Sequence, residues 1–434
     1  MLVVASVVGA GIFFAPGQVA SLLPNPLWIL AAWCLGGALS LAGALANAEL
    51  GALFPRAGGD YVYLREAFHP VAGFLVGWLT FFAIYTGTIA ALALAFAEGF
   101  VALLGWGEAS VVAVAVSTTL GISFVNCLGV KWGARGNNLT SIIKLMALVA
   151  FVVFGLASGA GDWTRVVSGH ESALPEGRGD WVAWGRALSP ILFSYLGWNA
   201  SVFVASEIRS PARNVPRSLF LGLGLCVIIY LAVNTVYLYA LPLEILSGTA
   251  DAGESAGRAL FGSMGGRWVG LFVLVSVLGA LNATVLVGPR IAYAMALDDL
   301  FFKGVERAHT KYRTPVMAIG VQAVSAALLL GVLRSFPRAL DFTVFAILIA
   351  TSADVVALYR LRRSQPERAR PYRAWGYPWL PGLYLLANAG VATAMLIGSP
   401  QECAISLALL LAGLPFYAFF RFRGGRAARQ ADVE

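Results

Sequence analysis

The chain has 434 residues, 59% of them hydrophobic and only 12% charged, where a soluble domain carries about 25% charged residues. Apolar runs fill nearly its whole length, so the two or three soluble domains that length alone suggests are excluded. The net charge of +8 does not point to nucleic acid, because the basic residues gather in short connections on one side of a membrane.

Twelve stretches approach or exceed the roughly 17–25 residues that cross a bilayer. They fall at approximately 1–22, 27–53, 70–104, 110–128, 138–160, 184–206, 217–241, 267–296, 315–333, 338–360, 378–398 and 402–420. Connections are short, apart from about 161–183 and 243–265. An even number of spans puts both termini on one side. That side holds 21 Lys/Arg against seven on the other, with Lys144 and Arg290 inside spans. The positive-inside rule then makes both termini cytoplasmic. Residues 1–434 read as a single transmembrane transporter domain with an all-α fold. Spans 1–5 (1–160) and 6–10 (184–360) form two units, with spans 11 and 12 (378–420) appended. Five spans per unit give the units opposite orientation, as an inverted repeat needs.

The first span carries Gly9-Ala10-Gly11 at its middle. Two glycines flanking alanine let the backbone leave helical geometry at little steric cost. The half-helix starting at Ile12 then offers free N–H groups and a positive dipole end to an anion such as a carboxylate. Close packing of small residues between helices is the alternative, and this segment alone does not separate the two. Only about nine residues precede the break. That reads as a misassigned start codon, with an unusually short half-helix as the alternative. The run has no basic n-region, so it is not read as a signal peptide.

Span 2 closes with Asn47 and Glu49, and the breaker-rich segment 54–61 reads as a short ordered loop. Glu98 lies toward the outer end of span 3. In span 5, Lys144 stands alone in the apolar run 139–154. A charge inside a span is by default functional. Its ammonium either snorkels to the cytoplasmic face or occupies a cation position between spans 1, 5 and 8. The second reading makes transport sodium-independent and lets a desolvated lysine carry a proton.

Span 6 is interrupted at Ser194-Tyr195-Leu196-Gly197. Its upstream half ends in unpaired carbonyls, whose negative partial charge suits an ammonium group. One break supplies donors and the other acceptors, so the pair complements a zwitterion: the α-amino and α-carboxylate groups of an amino acid. Phe193, Tyr195 and Trp198 would shape the side-chain pocket, with ordinary core or lipid packing as their alternative. Tyr85, Tyr230, Asn234 and Asn282 are gate or pocket candidates, of which only Tyr230 is expected to touch substrate. Arg290 in span 8 is expected to face the cytoplasmic vestibule, and Asp354 lies in span 10. The four cysteines lie in or beside spans, so no disulfide framework is implied. No phosphate loop, zinc spacing or nucleophile elbow occurs in a plausible context, so neither ATP-driven transport nor hydrolysis is supported and no cofactor or metal is expected.

At these residues the chain resembles the amino acid–polyamine–organocation superfamily, and within it the bacterial relatives of the L-type amino acid transporters. The segments are Val8-Gly9-Ala10-Gly11-Ile12-Phe13, Glu49-Leu50-Gly51 with 55–64, Gly197-Trp198-Asn199, Ser206-Glu207 with 211–217, and Arg370-Pro371-Tyr372-Arg373 with Trp375-Gly376-Tyr377-Pro378. The resemblance implies a LeuT-type 5+5 inverted-repeat fold with discontinuous helices 1 and 6. It also implies a carboxylate site at Gly9, Ala10 and Gly11 and an amine site at carbonyls near Ser6, Val7, Phe193 and Ser194. It matches Lys144 to a lysine that replaces a sodium ion, and Tyr230 to a tyrosine of the cytoplasmic gate. Vertebrate members join a glycoprotein through a cysteine after span 3. Here 104–110 has none, so no disulfide-linked heavy chain is expected.

The leading expectation is a secondary transporter of neutral L-amino acids in a bacterial inner membrane, either an exchanger or a proton-coupled symporter. Neutral selectivity follows from the lack of a fixed carboxylate in the central segments to pair a second cation. An arginine, polyamine or other amine exchanger is the alternative of the same class. A non-transporting amino acid sensor is the alternative from another. A membrane enzyme lacks a nucleophile–base pair.

Overall fold

The computed structural model describes residues 2–55, 58–167, 180–198, 210–307, 309 and 314–431. Among these residues the regular elements are all helical. The first half holds α1 (Leu2–Val7), α2 (Gly11–Leu22), α3 (Pro26–Leu53) and α4 (Asp60–Ala67). Then α5 (Pro70–Leu79), a π-helical turn (Thr80–Tyr85) and α6 (Thr86–Leu104) follow as one rod, succeeded by α7 (Val111–Cys127), α8 (Val130–Ala157) and the short α9 (Thr164–Val167). The second half holds α10 (Asp180–Ser194), α11 (Pro211–Ala240), α12 (Leu243–Ser247), α13 (Ala252–Val287) and α14 (Pro289–Leu297). It ends with α15 (Val316–Leu333), α16 (Phe336–Ser364), α17 (Trp379–Gly398) and α18 (Pro400–Ala431). Nine helical segments among the described residues are long and apolar enough to cross a bilayer, so this is a multi-pass membrane protein.

The long spans start where the sequence offers an N-cap or a proline in the first turn. Asn25 accepts from Leu27 N ahead of Pro26, and His69 accepts from Val71 N ahead of Pro70. Their packing is that of a bundle wrapped around broken helices: α3 lies along α11, α13 along α6, and α10 against α2 and α17. Glu98, near the outer end of α6, accepts from Phe336 N and so caps the start of α16.

One connection differs from the sequence reading. Residues 243–265, expected as a loop, contain α12 and the first turns of α13. Within α13 the chain reverses at Gly262 (φ 74°, ψ −177°), a left-handed conformation that side chains rarely adopt. The two limbs pack antiparallel: a Cβ on Gly257 would lie 2.8 Å from Val269, and one on Gly270 would lie 3.2 Å from Glu254. Its composition reads as a connection between spans, whereas its small residues let two short helical limbs fold back on each other.

Candidate functional site

The first break is formed as glycine and alanine dictate. The last bond of α1 runs from Val8 N to Val4 O at 2.9 Å, and Phe13 and Phe14 both donate back to Ala10 O at the start of α2. No backbone carbonyl among the described residues accepts from the N–H groups of Gly9, Ala10, Gly11 or Ile12. These donors sit in the protein interior, where lipid could not have satisfied them.

The second helix stops at Ser194. Pro190 in its last turns has no N–H to give, and Ser194 Oγ donates back to Pro190 O at 2.7 Å. Tyr195–Trp198 form a turn in which Gly197 takes φ 112°. Asn199 and the residues to 209 lie outside the described residues.

The two breaks touch. A Cβ on Gly11 would lie 2.5 Å from Ser194 Cα, so only glycine allows this approach. Tyr230 on α11, fully buried, ties the ends together: its hydroxyl lies 2.9 Å from Val7 O and 3.0 Å from Ser194 O. A phenol has one proton, so the two carbonyls share a single donor and leave acceptor capacity unused. Val7 and Ser194 both line a cavity.

The cavity has a volume of about 100 Å³ and opens between the breaks, the π-helical turn and α13. Val7, Gly9, Ala10, Gly11, Phe193, Ser194 and Gly197 line it, as the breaks require. Four wall residues come from one face of α13 (Ala280, Ala283, Thr284 and Val287) and four from the rod 84–92 (Ile84, Tyr85, Thr88 and Leu92). Thr88 donates to Ile84 O and Thr284 to Ala280 O, so both hydroxyls are engaged by their own helices. No charged side chain stands among these lining residues. The wall is therefore uncharged, and apart from the Tyr85 phenol its polarity comes from the backbone of the two breaks.

Several expected residues sit elsewhere. Ile12 is fully buried and Trp198 nearly so, and neither lines the cavity. Tyr195 turns away: its hydroxyl donates to Trp33 O at 3.1 Å and its ring packs on Trp33 and Tyr230. Ser6 belongs to α1, but its side chain lies outside the described residues. Lys144 is 4% exposed on α8, a helix that packs on α1, α11 and α13. Burial to that degree does not fit a snorkelling ammonium. Asn234 and Asn282 are spent on structure, the first donating to Tyr230 O and the second accepting from Asn126.

Sequence reasoning missed the α13 face and most of the rod, and it expected Tyr85 to stay clear of substrate, although Tyr85 lines the cavity. The signal was there in the spacing of residues 280, 283, 284 and 287, which is one face of a helix. The π-helical turn beside the cavity has no sequence marker, and such turns recur at functional sites.

Comparison with known proteins gives this geometry its context. The amino acid permease family matches residues 1–416. The serine/threonine exchanger SteT of Bacillus subtilis (strain 168) is 32% identical, over 96% of this chain and 94% of its own. The human large neutral amino acids transporter small subunit 2 is 28% identical over 96% of this chain and 78% of its own. The human b(0,+)-type amino acid transporter 1 is likewise 28% identical, over 96% and 86%. The chain belongs to the amino acid permease family: it is an amino acid transporter, not an enzyme.

Proposed function

We propose that this permease is a sodium-independent exchanger of small and medium neutral L-amino acids, working by alternating access in a bacterial inner membrane. The observation that carries the reading is the uncharged cavity between two helix breaks that touch. The N–H groups at Gly9, Ala10 and Gly11 would take the carboxylate, and the carbonyls of Val7 and Ser194 the ammonium group. Phe193, Thr88, Leu92 and the α13 face would contact the side chain. With no carboxylate in that wall, an arginine or polyamine would bury an unpaired charge, which disfavours the amine-exchanger alternative.

The family supports a LeuT-type architecture of twelve spans with two inverted five-span units, 1–160 and 184–360, and the pair 378–420 appended. In that frame both termini are cytoplasmic, Lys144 stands where a sodium ion would otherwise sit, and Tyr230 belongs to the gate. Exchange is favoured over proton symport by the one reported relative named as an exchanger, SteT.

Uptake of radiolabelled L-serine into proteoliposomes tests this. Uptake should require an unlabelled neutral amino acid inside and persist when sodium is replaced by choline. Equal uptake into empty vesicles under a proton gradient would establish the symporter instead. Absence of flux for every proteinogenic amino acid would establish a sensor.

A further inference from the structure

Away from the cavity, the junction of α4 and α16 buries two carboxyl groups against each other. Asp60 opens α4 immediately after Gly58 and Gly59, whose φ values of 117° and 47° swing the chain back toward the bundle. Asp60 is 7% exposed, and Asp354, midway along α16, is 1% exposed. Their carboxyl groups lie within hydrogen-bonding reach of each other. Asp354 Oδ2 accepts from Asn47 Nδ2 at 3.0 Å, whereas its Oδ1 finds no donor among the described residues. Thr80, the first residue of the π-helical turn, is 1% exposed, and its hydroxyl points toward Asp60 without closing a bond.

Among the described residues the surroundings supply no ion-pair partner. Tyr63 of α4, Tyr85 of the π-helical turn and Tyr384 of α17 face the pair, and Arg290 of α14 acts on Tyr85. Glu49 on α3 is held by Arg362 and Arg370. Glu98 of α6 is held by Phe336 N, Glu402 of α18 by Arg338, and Asp341 of α16 by Ser189 and Ser399. Neither α5 nor α15 carries a titratable residue. Among the described residues no lysine, arginine or histidine forms an ion pair with Asp60 or Asp354.

Two ionised carboxylates are acceptors only and repel one another. A hydrogen bond between them exists only when one carries a proton. We propose that Asp60 and Asp354 form a proton-binding site, sharing a single proton that ties α4 to α16 beside the substrate cavity. With that proton the pair carries one negative charge and the Oδ1 of Asp354 gains its missing partner. Without it, two negative charges face each other in an apolar junction. Burial, the larger influence, pushes the Asp60 carboxyl up to about 6, against the bond to Asp354. Because that bond lowers the Asp60 carboxyl, Asp60 is its acceptor and Asp354 holds the shared proton, so the one-proton state is reached as pH rises through about 6 and Asp60 gives up a second proton. Because Tyr85 belongs both to the cavity wall and to the surroundings of Asp60, loss of the proton reaches the substrate site.

The site is separate from substrate identity, so its test needs no flux. Infrared spectra of the purified full-length protein at about pH 7, where the pair holds a single proton, should show a protonated-carboxyl band. Asp60→Asn and Asp354→Asn, each removing one member, should abolish that band. Serine exchange at equal pH on both sides should inflect in the wild type at about pH 6, where Asp60 takes up a second proton, and lose that inflection in Asp60→Asn. A wild-type spectrum with no such band overturns the proposal even if neither variant folds. So does a band that survives unchanged in both variants. A protein with no exchange activity but with the band would sink the transport reading and leave the proton site standing.

Discussion

Gly11 and Ser194 meet at a distance that leaves no room for a methyl group, and the site proposed for the substrate's zwitterionic end lies there. Gly11→Ala must therefore push the two breaks apart by overpacking, at about 1–3 kcal/mol. The expected outcome is a loss of substrate affinity on the order of tenfold or more, read by isothermal titration with L-serine, while folding persists. Gly9 differs: a Cβ there would meet Ala280 at 3.6 Å, an ordinary contact, so Gly9→Ala should bind more tightly than Gly11→Ala in the same assay. Tyr230→Phe removes the shared donor but keeps the ring packed on Trp33 and Tyr195. Losing one such bond costs about 0.5–1.5 kcal/mol, a two- to tenfold change in exchange rate, with melting temperature nearly unchanged. These roles were partly legible. The glycine triplet announced a break because lipid forbids unpaired backbone. Tyr195 was misread because nothing in a sequence says which way an aromatic ring turns once a helix has unwound.

Between elements, the strongest fastening of the polar rim is Glu49 at the end of α3. It is wholly shielded from solvent and receives Arg362 at 2.6 and 2.9 Å, with Arg370 at 3.4 Å. Arg362 also lies over the Tyr377 ring at 3.8 Å, so the arginine-rich connector 360–377 is clamped from both sides. Glu49→Gln leaves two guanidinium groups facing a neutral amide in a buried setting. Breaking such a pair costs about 3–5 kcal/mol, and the melting temperature in detergent should fall by at least several degrees. A shift smaller than one degree would show that solvent screens the pair. Helices themselves could be read from hydrophobic runs, because a bilayer sets a minimum apolar length. Their fine structure could not: the reversal at Gly262 and the π-helical turn depend on tertiary contacts that leave hydrophobicity unchanged.

For the molecule as a whole, the proposal sets a lysine ammonium where an inorganic cation would otherwise sit in a bundle with two broken helices. Lys144 is buried on the helix that packs on α1, α11 and α13. Lys144→Ala should cut exchange at least tenfold, and added sodium should not restore it in proteoliposomes. Rescue by sodium would instead mark the vacated position as a metal site. The positive-inside distribution, legible from lysine and arginine counts, is what supports the proposed orientation. The fold of 243–262 has a mechanical corollary. At Gly17 of α2 an added Cβ would run into the Thr249 carbonyl, so this outer cap lies flush on the rod that follows the first break. Rocking that rod means carrying the cap along. In the proposed orientation, a binder raised against the cap from outside the cell would act as a brake, stalling turnover without ever entering the pore.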